Sequence, residues 1–352
     1  MCVYVCLPFT QELSGWPDYN WSCTVFSCLL SFVIHMEAFI IYSSCSSNKF
    51  SYMMVVKAAV PQTPMETPWG APLVWGNARN SAWRRAKFVQ QGIRAGLLVL
   101  VVGSYSHFVR GFLTSAELYF LPGQMVTYYI LTDSPHSLDP LIELGPQRQL
   151  KVVPVAELPG WDRLAHRRMA LLADAIRNPI SSEVEFIFCA DIDQKFVGPV
   201  GEEILGDLVA TLHPELYGMP RNTFPYEVED VSSAYVEEDE GDYYYTSELY
   251  GGLVSEMYRL ARTCSLLILQ DLENKVVARG LEESYLNRYL IDHRPTCVLS
   301  PEYSCPGDTA PTALWSAVIR VNSVTAHFPC SGQSLTGKAA VSRSLNARWG
   351  QN

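Results

Sequence analysis

The chain has 352 residues, of which 48% are hydrophobic, so it has room for one large domain with a core and an appendage. This composition excludes disorder of the chain as a whole. A net charge of −10 argues against a nucleic-acid partner, which would need a basic surface. Bound phosphates would therefore need a metal ion or a few local basic residues.

The N-terminal segment, residues 1–62, differs from the rest of the chain. Its apolar stretch at residues 21–42 is about long enough to cross a bilayer. His35 and Glu37 interrupt that stretch, and charge at bilayer depth is costly, so the sequence predicts only a weak membrane anchor. A proline-rich stem begins near Thr63 and leads into the folded domain, which we place at residues 63–310.

Apolar runs and helical patterns alternate in the first half of this domain. Strands are predicted at residues 96–102, 125–132, 150–155 and 184–190, and helices at 106–120 and 161–177. This order is typical of an α/β fold with a parallel sheet and right-handed crossovers. Neither GxGxxG nor GxxxxGK[ST] is present, which argues against dinucleotide dehydrogenases and P-loop enzymes.

The second half is predicted from weaker patterns. Residues 201–213 are assigned to a helix, and the acidic run 227–240 to a solvated loop. Residues 241–252, with three consecutive tyrosines at 243–245 and a double glycine, suit a strand and a tight turn beside a ligand, although a core strand would look similar. A helix opens at 280–287, and a last strand is expected at 299–303.

Two aspartates follow the buried strand at 184–190, at the end of the strand where open α/β sheets bind ligands. If the backbone stays extended, Asp191 and Asp193 point to the same side and can reach one point. Hard oxygen ligands at that spacing suit Mn²⁺ or Mg²⁺ shared with phosphates. An acidic turn after a core strand is the alternative interpretation of this stretch.

Nine features occur in order along the chain: TPWGAP at 67–72, Tyr105 in a turn, RRM at 167–169, DID at 191–193, LHPELYG at 212–218, FPYE at 224–227, EGDYYY at 240–245 with GG at 251–252, EESYLN at 282–287 and LSPEY at 299–303. Together they resemble glycosyltransferase family 6, which holds the histo-blood-group, α-1,3-galactosyl and Forssman-type transferases. The resemblance covers residues 67–303.

The resemblance implies a single catalytic domain of the GT-A glycosyltransferase fold, with a Rossmann-like nucleotide-binding sheet and a DxD motif. It implies retaining transfer of Gal or GalNAc, with Mn²⁺, from a UDP-sugar to a galactose-type terminal sugar of a glycolipid or glycoprotein. It also implies a single-pass type II protein of the Golgi membrane with a lumenal catalytic domain, and homodimerisation through the stem.

The resemblance assigns roles to individual residues. Asp191 and Asp193 match the metal ligands, and Glu283 matches the catalytic carboxylate. Glu282, on a different helical face, is interpreted as having no such role. The other donor-binding residues are Leu100, Val101, Val102, Tyr105, Arg168 and Ile192, and the sugar-contacting residues are His213, Thr246, Ser247 and Glu248, together with Glu283.

Several positions depart from the family pattern. Glu248 would place a charge beside the donor sugar, and Gly280 stands where a tryptophan that packs on the acceptor is usual. Leu281, Pro225 and Pro306 replace other family residues, and residues 311–352 form a divergent C-terminal segment in which Lys338, Arg343 and Arg348 are loose candidates for a lid. The alternative function is therefore a UDP-sugar-binding pseudoenzyme or carbohydrate-binding protein with an eroded acceptor site.

Overall fold

The computed structural model of the chain describes residues 38–41, 53–56, 64–76, 84, 88, 92–138, 142–156, 161–304 and 341–343. The chain divides into two compact units, Met1–Thr63 and Pro64–Asn352. In the first unit, strands β1 (Ala38–Ile41) and β2 (Met53–Val56) pair antiparallel. Residues 38–41, at the end of the predicted anchor at 21–42, thus form a strand and not part of a membrane-spanning helix, and the rest of that stretch lies outside the described residues. Within the described ranges, no helix is both long enough and apolar enough to cross a bilayer.

An eight-stranded sheet is the centre of the second unit as described. Its strand order is β3-β11-β9-β10-β7-β4-β5-β6. Only β10 runs against its two neighbours, so the sheet is mostly parallel. The strands are β3 (Leu73–Val74), β4 (Arg94–Val101), β5 (Met125–Thr132), β6 (Arg148–Pro154), β7 (Phe186–Ala190), β9 (Leu208–Leu212), β10 (Tyr245–Leu253) and β11 (Cys297–Leu299). A further pair consists of β8 (Gln194–Phe196) and β12 (Val341–Arg343), which are antiparallel.

Four α-helices cover the two faces of the sheet in the described part of the chain: α1 (Val109–Tyr119), α2 (Trp161–Arg177), α3 (Val254–Glu273) and α4 (Glu282–Asp292). The apolar side of α1 packs on one face, and α2, α3 and α4 pack on the other. In α2, for example, Leu172 and Ile176 are buried at a spacing of four, which places them on one side of the helix. The predicted helix at 161–177 and the predicted strand at 125–132 are confirmed to the residue.

The predicted helix at 201–213 is wrong. Only Glu202–Ile204 form a short 3₁₀ turn, and the following residues form β9 between β10 and β11. All five residues of β9 are buried because the strand lies inside the sheet with both faces covered. A continuous apolar run of this length does not by itself distinguish a buried strand from a helix.

Two loop predictions also need correction. The double glycine does not form a tight turn, because Gly251 and Gly252 lie inside β10. A Cβ on Gly251 would lie 2.3 Å from the Phe188 ring, so this position needs glycine for close packing of β10 on β7. The acidic run at 227–240 is not wholly solvated, because Glu227 is only 4% exposed. Its carboxylate accepts hydrogen bonds from the backbone N–H groups of Val228, Glu229 and Arg279.

The predicted strand at 299–303 is shorter than expected and begins earlier. β11 ends at Leu299, and residues Pro301–Ser304 form a 3₁₀ turn instead. Pro306, Lys338 and Arg348 lie outside the described residues, and for Arg343 the structure describes only the backbone, which pairs with Gln194.

Candidate active site

A pocket opens at the carboxyl ends of the parallel strands β4 and β7, where open α/β sheets bind their ligands. Helix α2 forms one wall, and β10 and the start of α4 form another. The residues that line the pocket are Leu100, Val102, Tyr105, Leu164, Ala165, Arg168, Ala190, Asp191, Ile192, Asp193, Ser247 and Glu282.

One side of the pocket is apolar and comes from β4 and the turn after it. Side chains alternate along a strand, so Leu100 and Val102 face the pocket while Val101 is buried in the core. The chain then turns at Gly103, whose φ of 55° suits glycine, into a 3₁₀ helix that carries Tyr105. The Tyr105 ring lies 5.8 Å from that of Phe108, centroid to centroid. This wall suits a flat ring such as a nucleobase.

The opposite side carries the two aspartates. The backbone does not stay extended after β7, as the sequence-based argument assumed, but forms a turn over residues 191–194. The Gln194 N–H donates to the Asp191 carbonyl oxygen at 3.3 Å and closes this turn. Both carboxylates nevertheless line the same pocket, with Asp193 only 7% exposed.

Arg168 connects the two acidic walls of the pocket. One of its N–H groups donates to Asp191 at 2.7 Å, and another donates to Glu282 at 3.2 Å. The Arg168 side chain is 12% exposed, so these ion pairs are largely shielded from water. Burial alone would lower the pKa of Arg168, but the two carboxylates raise it well above its ordinary value. The guanidinium therefore remains charged and holds both walls in place.

The sequence interpretation missed four lining residues, Leu164, Ala165, Ala190 and Glu282, of which only Glu282 is charged. It is the first residue of α4, and the preceding Leu281 has a φ of 50°, a backbone conformation that is strained for leucine. Burial raises the pKa of Glu282, Arg168 opposes this rise, and the neighbouring Asp191 adds to it. Glu282 therefore lines the pocket and pairs with Arg168, a placement that the sequence interpretation did not predict. Its nearness to Glu283 in the chain was the only available signal.

Glu283 lies directly behind Ser247, which lines the pocket. The Ser247 backbone N–H donates to Glu283 Oε2 at 2.9 Å, and the Ser247 hydroxyl lies 3.0 Å from the same oxygen. Burial raises the pKa of Tyr244 above its ordinary range, and hydrogen bonding to Glu283 raises it further. The Tyr244 phenol therefore stays protonated and can donate to the carboxylate. Glu283 itself is not among the residues that line the pocket.

Five of the predicted site residues do not line the pocket: Val101, His213, Thr246, Glu248 and Glu283. His213 follows β9 rather than ending a helix, and its ring lies 5.9 Å from that of Tyr244. Thr246 is only 1% exposed, and its hydroxyl accepts a hydrogen bond from the Glu248 N–H. Glu248 is 8% exposed and bonds to Gln194 and Ser304.

The chemistry of the donor set fits a divalent cation that phosphates help to bind. Within the described ranges, no group of three or more His, Cys, Asp or Glu side chains could hold a metal ion alone. Asp191 and Asp193 both line the pocket and supply carboxylates, which are hard oxygen donors. Mg²⁺ and Mn²⁺ are commonly bound in this way, with a small number of carboxylates and with phosphate oxygens of the substrate.

The mostly parallel sheet, with its pocket at the strand ends, is typical of nucleotide-dependent α/β enzymes. The family model for glycosyltransferase family 6 matches residues 44–327. The chain is 42% identical over 237 residues to the Homo sapiens globoside alpha-1,3-N-acetylgalactosaminyltransferase 1, covering 67% of this chain and 68% of that protein.

Two further relatives extend the comparison. The Rattus norvegicus histo-blood group ABO system transferase 1 is 38% identical over 67% of this chain and 68% of its own length. The Homo sapiens alpha-1,3-galactosyltransferase 2 is 34% identical over 79% of this chain and 84% of its own length. The chain therefore belongs to glycosyltransferase family 6, and it is a hexosyltransferase.

Proposed function

We propose that this hexosyltransferase moves Gal or GalNAc from a UDP-sugar to a galactose-type terminal sugar of a glycolipid or glycoprotein, in an α-1,3 linkage with retention of configuration. The observation that carries the proposal is the convergence of Asp191, Asp193 and Arg168 in one pocket, with Glu283 behind its Ser247 wall. The names of the relatives support the choice of donor and linkage.

The two walls of the pocket suggest how the UDP-sugar donor binds. Leu100, Val102 and Tyr105 would bind the uracil ring, and Asp191 and Asp193 would hold the Mn²⁺ ion. When bound, the ion neutralises charge on the leaving diphosphate. Arg168 adds a permanent positive charge beside Asp191 and keeps its carboxylate oriented. In this proposal, these residues together bind the donor.

Glu283 acts on the sugar. A carboxylate on the sugar face opposite the departing UDP can attack the anomeric carbon, or it can stabilise an oxocarbenium ion while the acceptor enters from the front. Either course retains configuration. The Ser247 N–H and the Ser247 hydroxyl orient the Glu283 carboxylate for this role. Sugar contacts by His213, Thr246 and Glu248 stay predictions from the family resemblance, because none of the three lines the pocket.

The N-terminal part of the chain completes the proposal. The apolar stretch at 21–42 anchors the protein as a single-pass type II protein of the Golgi membrane, and the stem from Thr63 presents the GT-A catalytic domain in the lumen. Homodimers form through the stem. Localisation of the full chain by fluorescence microscopy, with a protease-protection assay for orientation, tests this part of the proposal.

The central experiment measures transfer by the full chain. UDP release is followed from UDP-Gal and from UDP-GalNAc, with and without Mn²⁺, and with a panel of galactose-terminated acceptors. We expect release that requires both Mn²⁺ and an acceptor, and the preferred donor identifies the sugar. Slow release that ignores the acceptor would contradict transfer and would favour the pseudoenzyme alternative.

A variant of the catalytic carboxylate makes the test specific. Glu283→Gln should lower the transfer rate by at least about 100-fold, because an amide cannot replace the carboxylate at the anomeric carbon. Its fold should be intact, since the glutamine oxygen can still accept the Ser247 bonds. Asp292→Asn, at the exposed end of the same helix, is the matched control and should keep its activity. Equal rates for Glu283→Gln and the wild type would contradict the assignment.

A further inference from the structure

Glu248 contacts both ends of the turn that carries the two aspartates. Its backbone carbonyl accepts the Asp191 N–H at 3.2 Å, beyond the last residue of β7. Its side-chain oxygen Oε2 accepts the amide N–H of Gln194 at 2.9 Å, and Gln194 is the fourth residue of the turn. The turn is therefore attached to β10 at its first and last residues, through the same glutamate.

A third contact fixes the Glu248 carboxylate from another direction. The hydroxyl of Ser304, at the end of the 3₁₀ turn after β11, donates to the same Oε2. The carboxylate thus connects β10, the aspartate turn and the segment after β11, which are far apart in the chain. Ser247, the preceding residue, lines the pocket instead, where it bonds to Glu283.

Burial makes these contacts costly to lose. Gln194 and Ser304 are each 2% exposed and Glu248 is 8% exposed, so water cannot readily replace a missing partner. A carboxylate only accepts hydrogen bonds, so it forces Gln194 to present its NH₂ group. The other amide atom, Gln194 Oε1, has no partner among the described residues. The orientation of Gln194 therefore depends on Glu248.

We propose that Glu248 is a positioning residue that holds the turn of Asp191 and Asp193 in its metal-binding geometry, rather than a charge that selects the donor sugar. The inference rests on the proposed Mn²⁺ and UDP site. Removal of a residue that orients metal ligands without binding the metal itself typically lowers metal affinity by about 10-fold to 100-fold. Donor selectivity, by contrast, should depend on side chains that face the pocket.

The test measures binding of Mn²⁺ to the full chain in the presence of UDP, from the loss of the EPR signal of free Mn²⁺. Glu248→Ala should bind Mn²⁺ about 10-fold or more weakly than the wild type. Glu248→Gln should stay within about 3-fold of the wild type, because its amide oxygen can still accept from Gln194 and Ser304. The preference between UDP-Gal and UDP-GalNAc, taken from the ratio of their kcat/KM values, should be unchanged in both variants.

A matched control is available at the other end of β7. Glu183 precedes that strand, and its carboxylate also accepts two side-chain hydrogen bonds, from Tyr129 at 2.6 Å and from Lys151. Glu183→Ala should therefore lose stability without losing Mn²⁺ affinity. If Glu248→Ala does not fold, Ser304→Ala removes one donor from the same carboxylate and should weaken Mn²⁺ binding in the same direction.

The outcomes separate this inference from the proposed function. Suppose that the wild type binds Mn²⁺ and UDP, and that Glu248→Ala binds Mn²⁺ equally well. This result would overturn the role of Glu248 and leave the proposed function standing. If Glu248→Ala does not fold, undiminished Mn²⁺ affinity in Ser304→Ala would have the same meaning. A changed donor preference with unchanged Mn²⁺ affinity would show that Glu248 selects the sugar instead. Absence of Mn²⁺ binding in the wild type would overturn the metal site, and the inference with it.

Discussion

Removal of Arg168 should destabilise the folded protein more than removal of any exposed arginine. Arg168→Ala deletes two charge-assisted hydrogen bonds, at 2.7 Å to Asp191 and at 3.2 Å to Glu282, and leaves both carboxylates without their cation. Breaking a buried ion pair by removing one partner typically costs about 3–5 kcal/mol. For a domain of this size, that loss corresponds to a decrease in Tm of about 6–20 °C.

The assay is urea unfolding followed by tryptophan fluorescence, in buffer that contains a chelator because a divalent cation could replace the missing charge. Arg177→Ala, on the same helix, is the matched control. Arg177 pairs with Asp174 at 3.1 Å, but both side chains are about two-thirds exposed or more. Exposed pairs of this kind contribute less than about 1 kcal/mol.

A double-mutant cycle tests the assigned partner. In the Arg168→Ala background, Asp191→Asn should cost less stability than it does in the wild type, since the isolated carboxylate has become unfavourable. Equal losses in Arg168→Ala and Arg177→Ala would refute the reasoning. So would additive effects of the Arg168 and Asp191 substitutions, because additivity would mean that the two side chains do not interact.

Two further predictions concern stability. Burial by itself would raise the pKa of Asp271, but hydrogen bonds from Ser232, Ser233 and Tyr285 lower it below 3.8. Asp271→Asn should therefore cost about 1–3 kcal/mol at neutral pH, and the difference from the wild type in urea unfolding should shrink as the pH falls through that lowered pKa. Gly251→Ala should destabilise by about 1–3 kcal/mol in the same assay, because its Cβ meets the Phe188 ring. A pH-independent Asp271 effect, or a neutral Gly251→Ala, would contradict these two arguments.

The sequence alone was sufficient where structure depends on neighbouring residues. The helical spacing of residues 161–177 and the apolar run before Asp191 are local patterns, and the structure confirms both elements. The family resemblance assigned Leu100, Val102, Tyr105 and Asp191 to one donor site, and these residues line one pocket because the parallel strands that precede them end at the same edge of the sheet. The ordered motifs identified the family, and the family model agrees.

Only the tertiary structure could show contacts between residues that are far apart in the chain. Arg168 and Glu282 are 114 residues apart, and Gln194 and Glu248 are 54 apart, so no local pattern predicts either contact. The burial of Glu248 depends on three segments that meet at the sheet edge. The residues of β9 were predicted as part of a helix because an apolar run does not show whether it pairs with other strands. The pairing with β10 and β11 exists only in the folded sheet. The sequence by itself determined the family and most elements in the first half of the domain, while packing decided which residues line the pocket, because side-chain direction depends on strand register and on turns.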